Sequence, residues 1–264
     1  MPLAHVARVT LLVVTILILL YLTICITHAC VVYNSDVALK RALGVPRLVP
    51  LPPPRVRKRL DAVVGRLAAF TREAPRPVWA TWGTALGVER HGGRIPWDDD
   101  FDLGTAAADV PALQQWLEYG SGKHLRMRIG VETLGFRRLI DTDDDSNIAD
   151  LFLFEQLPAD GHAADEETPW SLIGPPSPST FVPWCRGHPK YTFPAACVRA
   201  PLVQRPFDGH LISTLQCNRA MVKQWFSPTA LDEARVHPPH DEHGRFRCVL
   251  IAINPFLVRR FRIT

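Results

Sequence analysis

The sequence predicts an α+β protein, in which a small mixed sheet is flanked by helices and preceded by one N-terminal transmembrane helix. Between residues 55 and 154, short apolar strand-like segments alternate with amphipathic helical ones, and residues 9–27 form an uncharged run rich in Leu, Ile and Val. The chain has 264 residues, of which 47% are hydrophobic and 21% charged. That composition is typical of one sizeable globular domain with appendages.

We divide the chain into a membrane anchor (1–33), a proline-rich stem (34–54) and a main domain (55–264).

The apolar run Val9–Thr27 is the basis for the predicted anchor. At helical rise it spans roughly 28 Å, close to the hydrocarbon thickness of a bilayer. A cleaved signal peptide usually has a shorter apolar region, about 7–15 residues. Because Thr27-His28-Ala29 is an acceptable cleavage site, cleavage stays open as an alternative. We expect a single-pass signal anchor with the main domain on the non-cytosolic side, in the Golgi or ER lumen if the source is eukaryotic.

The charge pattern bears on nucleic-acid binding, and the cysteines bear on disulfides and zinc. The net charge is +4, and the dense basic runs, Arg55–Arg59 and Arg259–Arg262, carry no interleaved aromatic platform, so we expect no nucleic-acid partner. Beyond the membrane segment four cysteines remain, which allow two disulfides in three connectivities. A zinc site is the alternative for Cys185-x-x-His188 with Cys197, although a fourth ligand at standard spacing is missing. The four cysteines are Cys185, Cys197, Cys217 and Cys248.

The elements of the main domain follow from the spacing of apolar residues. A helix is predicted between Val56 and Phe70, Gly83 opens a short helix, and Asp109 caps another. The predicted strands are Val78–Trp82, Asp99–Leu103, the residues around Met127, Thr133–Ile140 and Asn147–Phe154. After a long connection over residues 155–190, we expect a helix over Ser213–Phe226 and a strand over Arg247–Asn254.

The cluster Asp98-Asp99-Asp100-Phe101-Asp102 is the most informative feature for function. If this segment is a strand, Asp98, Asp100 and Asp102 share one side, each about 6.6 Å from the next. Asp99 then faces the other side, and we expect it to hydrogen-bond the turn rather than bind metal. Carboxylates so close together repel one another and need a compensating positive charge. Mg²⁺ or Mn²⁺ suits them, since these hard cations prefer oxygen ligands and assist phosphate chemistry.

A further carboxylate is expected from the strand that contains Asp150. Its neighbours Ile148, Ala149, Leu151 and Phe152 are all apolar. An ionised carboxylate buried there without a partner would cost several kcal/mol. A metal shared with the aspartate cluster is such a partner, so we predict that both strands contribute ligands. The alternative, in which Asp150 starts the strand and faces solvent, stays open.

Phosphate contacts are predicted on either side of the short helix. Gly83-Thr84 follows a strand and opens this helix, where free backbone N–H groups and a hydroxyl can bind phosphate. Arg90 and Arg94 lie between this turn and the aspartates, and arginine suits bidentate phosphate recognition. We therefore predict Gly83, Thr84, Arg90 and Arg94 as substrate-binding residues.

The order strand, Gly-Thr, Asp-x-Asp and a later lone Asp resembles the nucleotidyltransferase superfamily. The stretch WGTALGVERHGGRIPWDDDFDLG, residues 82–104, closely resembles the signature of the LicD family, which includes fukutin and fukutin-related protein. Weaker matches are Ile148–Phe152 and Phe207-Asp-Gly209. The resemblance implies a nucleotidyltransferase-like fold, a catalytic main domain and a divalent metal. It implies that the metal ligands are Asp100, Asp102 and Asp150, with Asp98 as an accessory.

The resemblance also implies an activity. We expect a LicD-type, metal-dependent phosphotransferase that moves a phospho-alcohol, such as phosphocholine or ribitol phosphate, from a CDP-linked donor to a glycan hydroxyl. Asp100, Asp102 and Asp150 would be the catalytic residues. Two alternatives stay open, namely a nucleotidyltransferase that uses the same aspartates and a non-catalytic glycan-binding pseudoenzyme.

Overall fold

The computed structural model describes residues 11–24, 51–133, 136–157, 167–173, 192–226, 228 and 230–231. The chain divides into two compact units. One comprises residues 1–52 and 236–263, and the other, called the main unit below, comprises residues 53–235 with Thr264. The sequence segments that carry the predicted chemistry all belong to the main unit.

The predicted transmembrane helix is not found. Residues 11–24 form helix α1. Within the described ranges, no helix is both long enough and apolar enough to cross a membrane. The ends of the predicted span, Val9 and Thr27, lie outside the described residues.

The main unit contains helices on both sides of a mixed sheet. Its helices are α2 (Pro54–Glu73), α3 (Trp82–His91), α4 (Val110–Tyr119), α5 (Ala196–Arg199) and α6 (Asn218–Trp225), with 3-10 turns at Ala107–Asp109 and Ser121–Leu125. Its strands are β1 (Val78–Ala80), β2 (Asp102–Ala106), β3 (Met127–Thr133), β4 (Phe136–Asp141), β5 (Asn147–Gln156), β6 (Trp170–Leu172), β7 (Thr192–Phe193), β8 (Val203–Phe207) and β9 (His210–Thr214). The predicted α+β class is confirmed.

The sheet order is β1-β2-β5-β4-β3, with β6 paired to β5 and β7 paired to β6. Strands β2 and β5 run parallel, and the other pairs are antiparallel. Strands β8 and β9 form a separate hairpin. The one parallel pair is central, which brings residues from distant parts of the sequence next to each other.

The two faces of the sheet differ in character. Apolar residues of β2, β4 and β5, such as Leu103, Leu139 and Leu151, point to the core and pack with the buried stripe of α2. Alternate residues on the same strands point the other way. We call this second side the site face; it carries Asp102 on β2, Asp150 and Phe152 on β5, and Phe136 and Arg138 on β4.

The predicted strand Asp99–Leu103 is wrong in its first half, since β2 begins only at Asp102. The preceding residues form a turn in which Asp98 N–H donates to Ile95 C=O at 2.9 Å, with Pro96 in between. Proline favours the second position of such a turn because its φ angle is already suitable. The alternating faces assumed for Asp98 and Asp100 therefore do not apply.

The C-terminal part of the main unit brings two further corrections. Ser213 and Thr214 belong to β9, so the helix predicted from Ser213 begins only at Asn218. A disulfide joins Cys197 and Cys217, whose Cα atoms are 5.5 Å apart. A disulfide sulfur is not the thiolate that zinc requires, so Cys197 is excluded as a zinc ligand. Cys185, Cys248 and the predicted strand Arg247–Asn254 lie outside the described residues.

Candidate active site

Asp102 and Asp150 are aligned across the parallel pair β2–β5. They are Cα partners in the register, and the Asp150 N–H donates to Phe101 C=O at 2.8 Å. Partners in adjacent strands point to the same face, so both carboxylates lie side by side on the site face. Asp150 lies inside β5 rather than at its start, and both residues are half-buried. The two strands therefore converge as the sequence predicted.

A second acidic group lies in the turn before β2. Asp98, Asp99 and Asp100 each offer a carboxylate oxygen, and these oxygens lie within 4.8 Å of one another. Asp99 is only 6% exposed. Strand alternation would have pointed Asp99 away from Asp98 and Asp100, whereas the non-strand backbone of residues 98–100 lets consecutive side chains converge. Asp99 therefore joins the candidate ligands.

Gly83 connects the turn aspartates to the strand pair. Its N–H, in the first turn of α3, donates to Asp102 Oδ2 at 2.9 Å. A Cβ atom added to Gly83 would lie 2.6 Å from Asp98 Oδ2 and 3.1 Å from Asp102 Oδ2. Backbone thus approaches both carboxylates so closely that a side chain would displace one of them. The positive end of the helix faces the same carboxylate.

Thr84 holds Asp102 from the other direction. The Thr84 side chain is buried, and its Oγ1 accepts a hydrogen bond of 2.8 Å from the Asp102 N–H. Gly83 and Thr84 are therefore both directed at Asp102. Both residues therefore position this carboxylate. Their contact with a substrate phosphate stays a prediction.

The carboxylates are electrostatically crowded. Burial raises the pKa of Asp98 well above its usual range, and the charges of Asp100 and Asp99 raise it further. Burial also raises the pKa of Asp102, with contributions from Asp100, Asp98 and Asp150, and the Gly83 N–H opposes this only in part. Without a cation, burial and mutual repulsion disfavour the charged forms of these carboxylates.

The chemistry of this donor set fits Mg²⁺ or Mn²⁺. Both ions take oxygen ligands, and the group consists of carboxylate oxygens with no Cys or His among the clustered residues. Gly83 keeps the turn aspartates and the strand pair close together. A divalent cation would relieve the repulsion that raises the pKa values of Asp98 and Asp102.

Arg90 lies at the edge of the acidic group. Its guanidinium stacks over Trp97 at 5.7 Å from the ring centroid, and its Nε donates to His91 Nε2 at 2.9 Å. Burial lowers the pKa of Arg90, and the charge of Asp98 opposes that effect. Desolvation and the charge of Arg90 lower the pKa of His91 to about 4. His91 is therefore a neutral acceptor that orients Arg90 at physiological pH.

Arg94, in contrast, connects separate elements of the main unit. Its guanidinium forms ion pairs with Asp61 on α2 and with Asp208 in the β8–β9 turn. Its backbone N–H also donates to Asp208 Oδ1 at 3.1 Å. These contacts join α2, the loop before the aspartates and the hairpin. Arg94 thus stabilises the fold around the acidic group, and its contact with a substrate phosphate stays a prediction.

The family model described as LicD/FKTN/FKRP, nucleotidyltransferase domain, matches residues 76–214. This range includes the acidic turn, Asp102, Asp150 and the β8–β9 hairpin. The chain belongs to the LicD family. The family is phosphotransferase-like, which agrees with a site built from carboxylates and arginine. No curated protein matches the chain.

Asp208, which the sequence placed in a weaker family match without a role, shapes this LicD domain through Arg94. Asp208 and Gly209 have φ angles of 47° and 79° and form the two-residue turn between β8 and β9. Asp-Gly is a strong hairpin signal, so the turn itself was readable from the sequence. Its contact with Arg94 was not, because the two residues are distant in the chain.

Proposed function

We propose that this LicD domain is a metal-dependent phosphotransferase that moves a phospho-alcohol from a CDP-linked donor to a glycan hydroxyl. The transferred group would be of the phosphocholine or ribitol phosphate type. The observation that carries the proposal is that Asp98 of the acidic turn, residues 98–100, and Asp102 approach each other at Gly83, while Asp150 is the register partner of Asp102. Membership of a phosphotransferase-like family supports the same reaction class.

Asp98, Asp100, Asp102 and Asp150 are the proposed ligands of Mg²⁺ or Mn²⁺, and Asp99 is close enough to the turn group to join them. When bound, the cation neutralises charge on the donor diphosphate and on the departing nucleotide. The burial of Asp102 strengthens this effect, since charges interact more strongly away from water.

The remaining roles are assigned to residues of the chain. Gly83 and Thr84 hold Asp102 in place, and Arg90 offers its guanidinium to a donor phosphate. Asp150 accepts the proton of the acceptor hydroxyl. The oxygen of that hydroxyl forms the new bond to phosphorus. The bond between that phosphorus and the bridging oxygen breaks, and CMP leaves. Positioning and electrostatics supply most of the acceleration in such a transfer.

We also propose a non-cytosolic location, such as the Golgi or ER lumen of a eukaryotic cell. The disulfide Cys197–Cys217 supports this proposal, because disulfides persist in oxidising compartments and are rare in the cytosol. Glycan acceptors in the same compartment would meet the enzyme there.

The test is release of CMP by the full-length protein from a panel of CDP-alcohols, with Mg²⁺ or Mn²⁺ and a glycan acceptor. Asp100→Asn and Asp102→Asn should each abolish release, and Asp144→Asn, an exposed aspartate in the β4–β5 turn, should retain it. Unchanged turnover in both site variants would remove the mechanism.

A nucleotidyltransferase is the second candidate, and the description of the matched domain favours it. It would use the same aspartates but would release pyrophosphate from CTP instead of CMP from a CDP-alcohol. A glycan-binding pseudoenzyme would show neither product and no metal-dependent binding of CDP, which isothermal titration measures directly.

A further inference from the structure

A row of three side chains crosses the site face. Asp150 on β5 is the register partner of Asp102 on β2 and of Arg138 on β4. In an antiparallel pair, directly opposed residues have Cβ atoms about 4.5–5.5 Å apart and project to the same side. Arg138 is therefore a direct neighbour of Asp150, one of the proposed catalytic aspartates, and Asp102 lies one strand further along the same row.

Arg138 differs from the other arginines of this region. Arg66, Arg126 and Arg128 each form an ion pair with a carboxylate of the β4–β5 turn, residues 141–145. Arg138 is exposed, and within the described part of the chain its side chain forms no hydrogen bond or ion pair. Its guanidinium thus remains available for an anion beside Asp150.

The next row of the same face is aromatic. Phe152 is two residues after Asp150 on β5 and is the register partner of Phe136 on β4. The rings of Phe136 and Phe152 are 5.6 Å apart, and Trp82 lies 5.8 Å from Phe152 in an edge-on arrangement. We call Trp82, Phe136 and Phe152 the aromatic ledge; all three are half-buried. Aromatic side chains of this kind stack nucleic-acid bases without regard to sequence.

The two rows together match the chemistry of a nucleotide, which carries phosphates at one end of its sugar and a planar base at the other. Residues two apart on β5 are about 6.6 Å apart, so phosphate and base contacts can be made by adjacent rows. We propose that Arg138 binds a phosphate of the nucleotide donor and that the aromatic ledge stacks its base. This inference rests on the proposed function and extends it to the residues that recognise the donor.

Isothermal titration of the full-length protein with CDP and with pyrophosphate, both in the presence of Mg²⁺, tests the inference. Arg138→Gln should weaken the binding of both ligands by about tenfold to a hundredfold, the effect of losing hydrogen bonds to a charged group. Phe136→Leu should weaken CDP binding by about tenfold and leave pyrophosphate binding unchanged, because pyrophosphate has no base to stack. Arg205→Gln is the matched control, an exposed arginine on the separate β8–β9 hairpin, and should match the wild type.

The outcomes separate this inference from the proposed function. If wild type binds CDP with Mg²⁺ and Arg138→Gln binds it equally well, the arginine has no such role and the phosphotransferase proposal stands. If Phe136→Leu weakens both ligands alike, the ledge does not stack a base. If the wild type binds neither ligand, the proposed function fails and the donor subsite fails with it. Thermal melts confirm that each variant is folded.

Discussion

Asp102 and Asp150 are direct partners across the parallel strands β2 and β5, with their carboxylates on one face of the sheet. The charges of Asp98, Asp100 and Asp150 all contribute to the raised pKa of Asp102, so the metal-free site is a source of instability. A protein that keeps like charges together in this way gives up stability for a prearranged binding site.

Asp102→Asn should stabilise the metal-free protein at neutral pH while abolishing donor turnover. The amide removes a buried charge, and its oxygen can still accept the Gly83 N–H. We expect the melting temperature in EDTA to rise by about 2–6 °C, measured by differential scanning calorimetry. Asp144→Asn is the control, because hydrogen bonds from Ser146 lower the pKa of Asp144 and the substitution should give no gain. A lower melting temperature for Asp102→Asn would contradict the electrostatic argument.

The repulsion among these carboxylates should also change how the free energy of unfolding depends on pH. Asp98 and Asp102 have folded-state pKa values raised above 3.8, so above that pH the folded state holds more protons than the unfolded state. Their contribution to the free energy of unfolding must then fall as pH rises through the raised pKa values. Urea unfolding in EDTA between about pH 4.5 and 7.5 should show this fall, and Mn²⁺ should suppress it.

This urea measurement needs a variant for comparison, because His91 changes the pH dependence of the free energy of unfolding in the opposite direction. Its pKa is lowered from 6.5 to about 4, so its contribution to stability rises with pH across that window. The double variant Asp98→Asn, Asp102→Asn retains His91 and lacks the carboxylates. The wild type should lose stability relative to this variant as pH rises; parallel pH profiles would show that the two carboxylates are not perturbed.

Gly83→Ala should weaken Mn²⁺ binding by about tenfold or more. The added methyl group would lie 2.6 Å from Asp98 Oδ2, so the carboxylate must move away from Asp102. Changes to residues that orient the ligands of a metal typically cost about 10–100-fold in affinity. Titration calorimetry with Mn²⁺ measures the effect. Gly65→Ala on α2, which faces only the His210 side chain, should bind Mn²⁺ like the wild type.

Asp208→Ala should destabilise the main unit by about 1.5–3 kcal/mol, since it removes two hydrogen bonds to Arg94, one of them charged, and places alanine at a φ angle of 47°. Asp208→Asn should cost less, because asparagine tolerates that conformation and can accept one of the bonds. Urea unfolding gives both values.

Asp61→Ala tests the other ion pair of Arg94. Asp61 is 64% exposed, so we expect a loss of stability of less than about 1 kcal/mol. Equal losses in the three variants would argue against a special role for the Asp208 turn.

Local patterns in the sequence predicted a large part of this structure. The helix α2, the strands β1, β4 and β5 and the turn at Gly83 all follow from apolar spacing and from glycine and proline. The apolar flanks of Asp150 predicted that it would need a partner on a neighbouring strand, and β5 does lie beside β2. The aspartate motif was sufficient to identify the LicD family.

The errors arose where a local pattern admits two conformations. A row of aspartates fits a strand as well as a turn, and the proline before it decided for the turn, which brought Asp99 into the acidic group. The apolar run at the N-terminus has the composition of a membrane span, whereas no helix in the described part of the chain is long and apolar enough to cross a membrane.

The sequence by itself determined the fold class, the family and the carboxylate chemistry, because these depend on residue type and on spacing within a few positions. Only the tertiary structure decided that Thr84 holds Asp102, that Arg94 is paired with Asp61 and Asp208, and that Arg138 stands beside Asp150. Each of these depends on strand register or on contacts between distant segments. Packing of the whole main unit selects such contacts, and no short stretch of sequence encodes them.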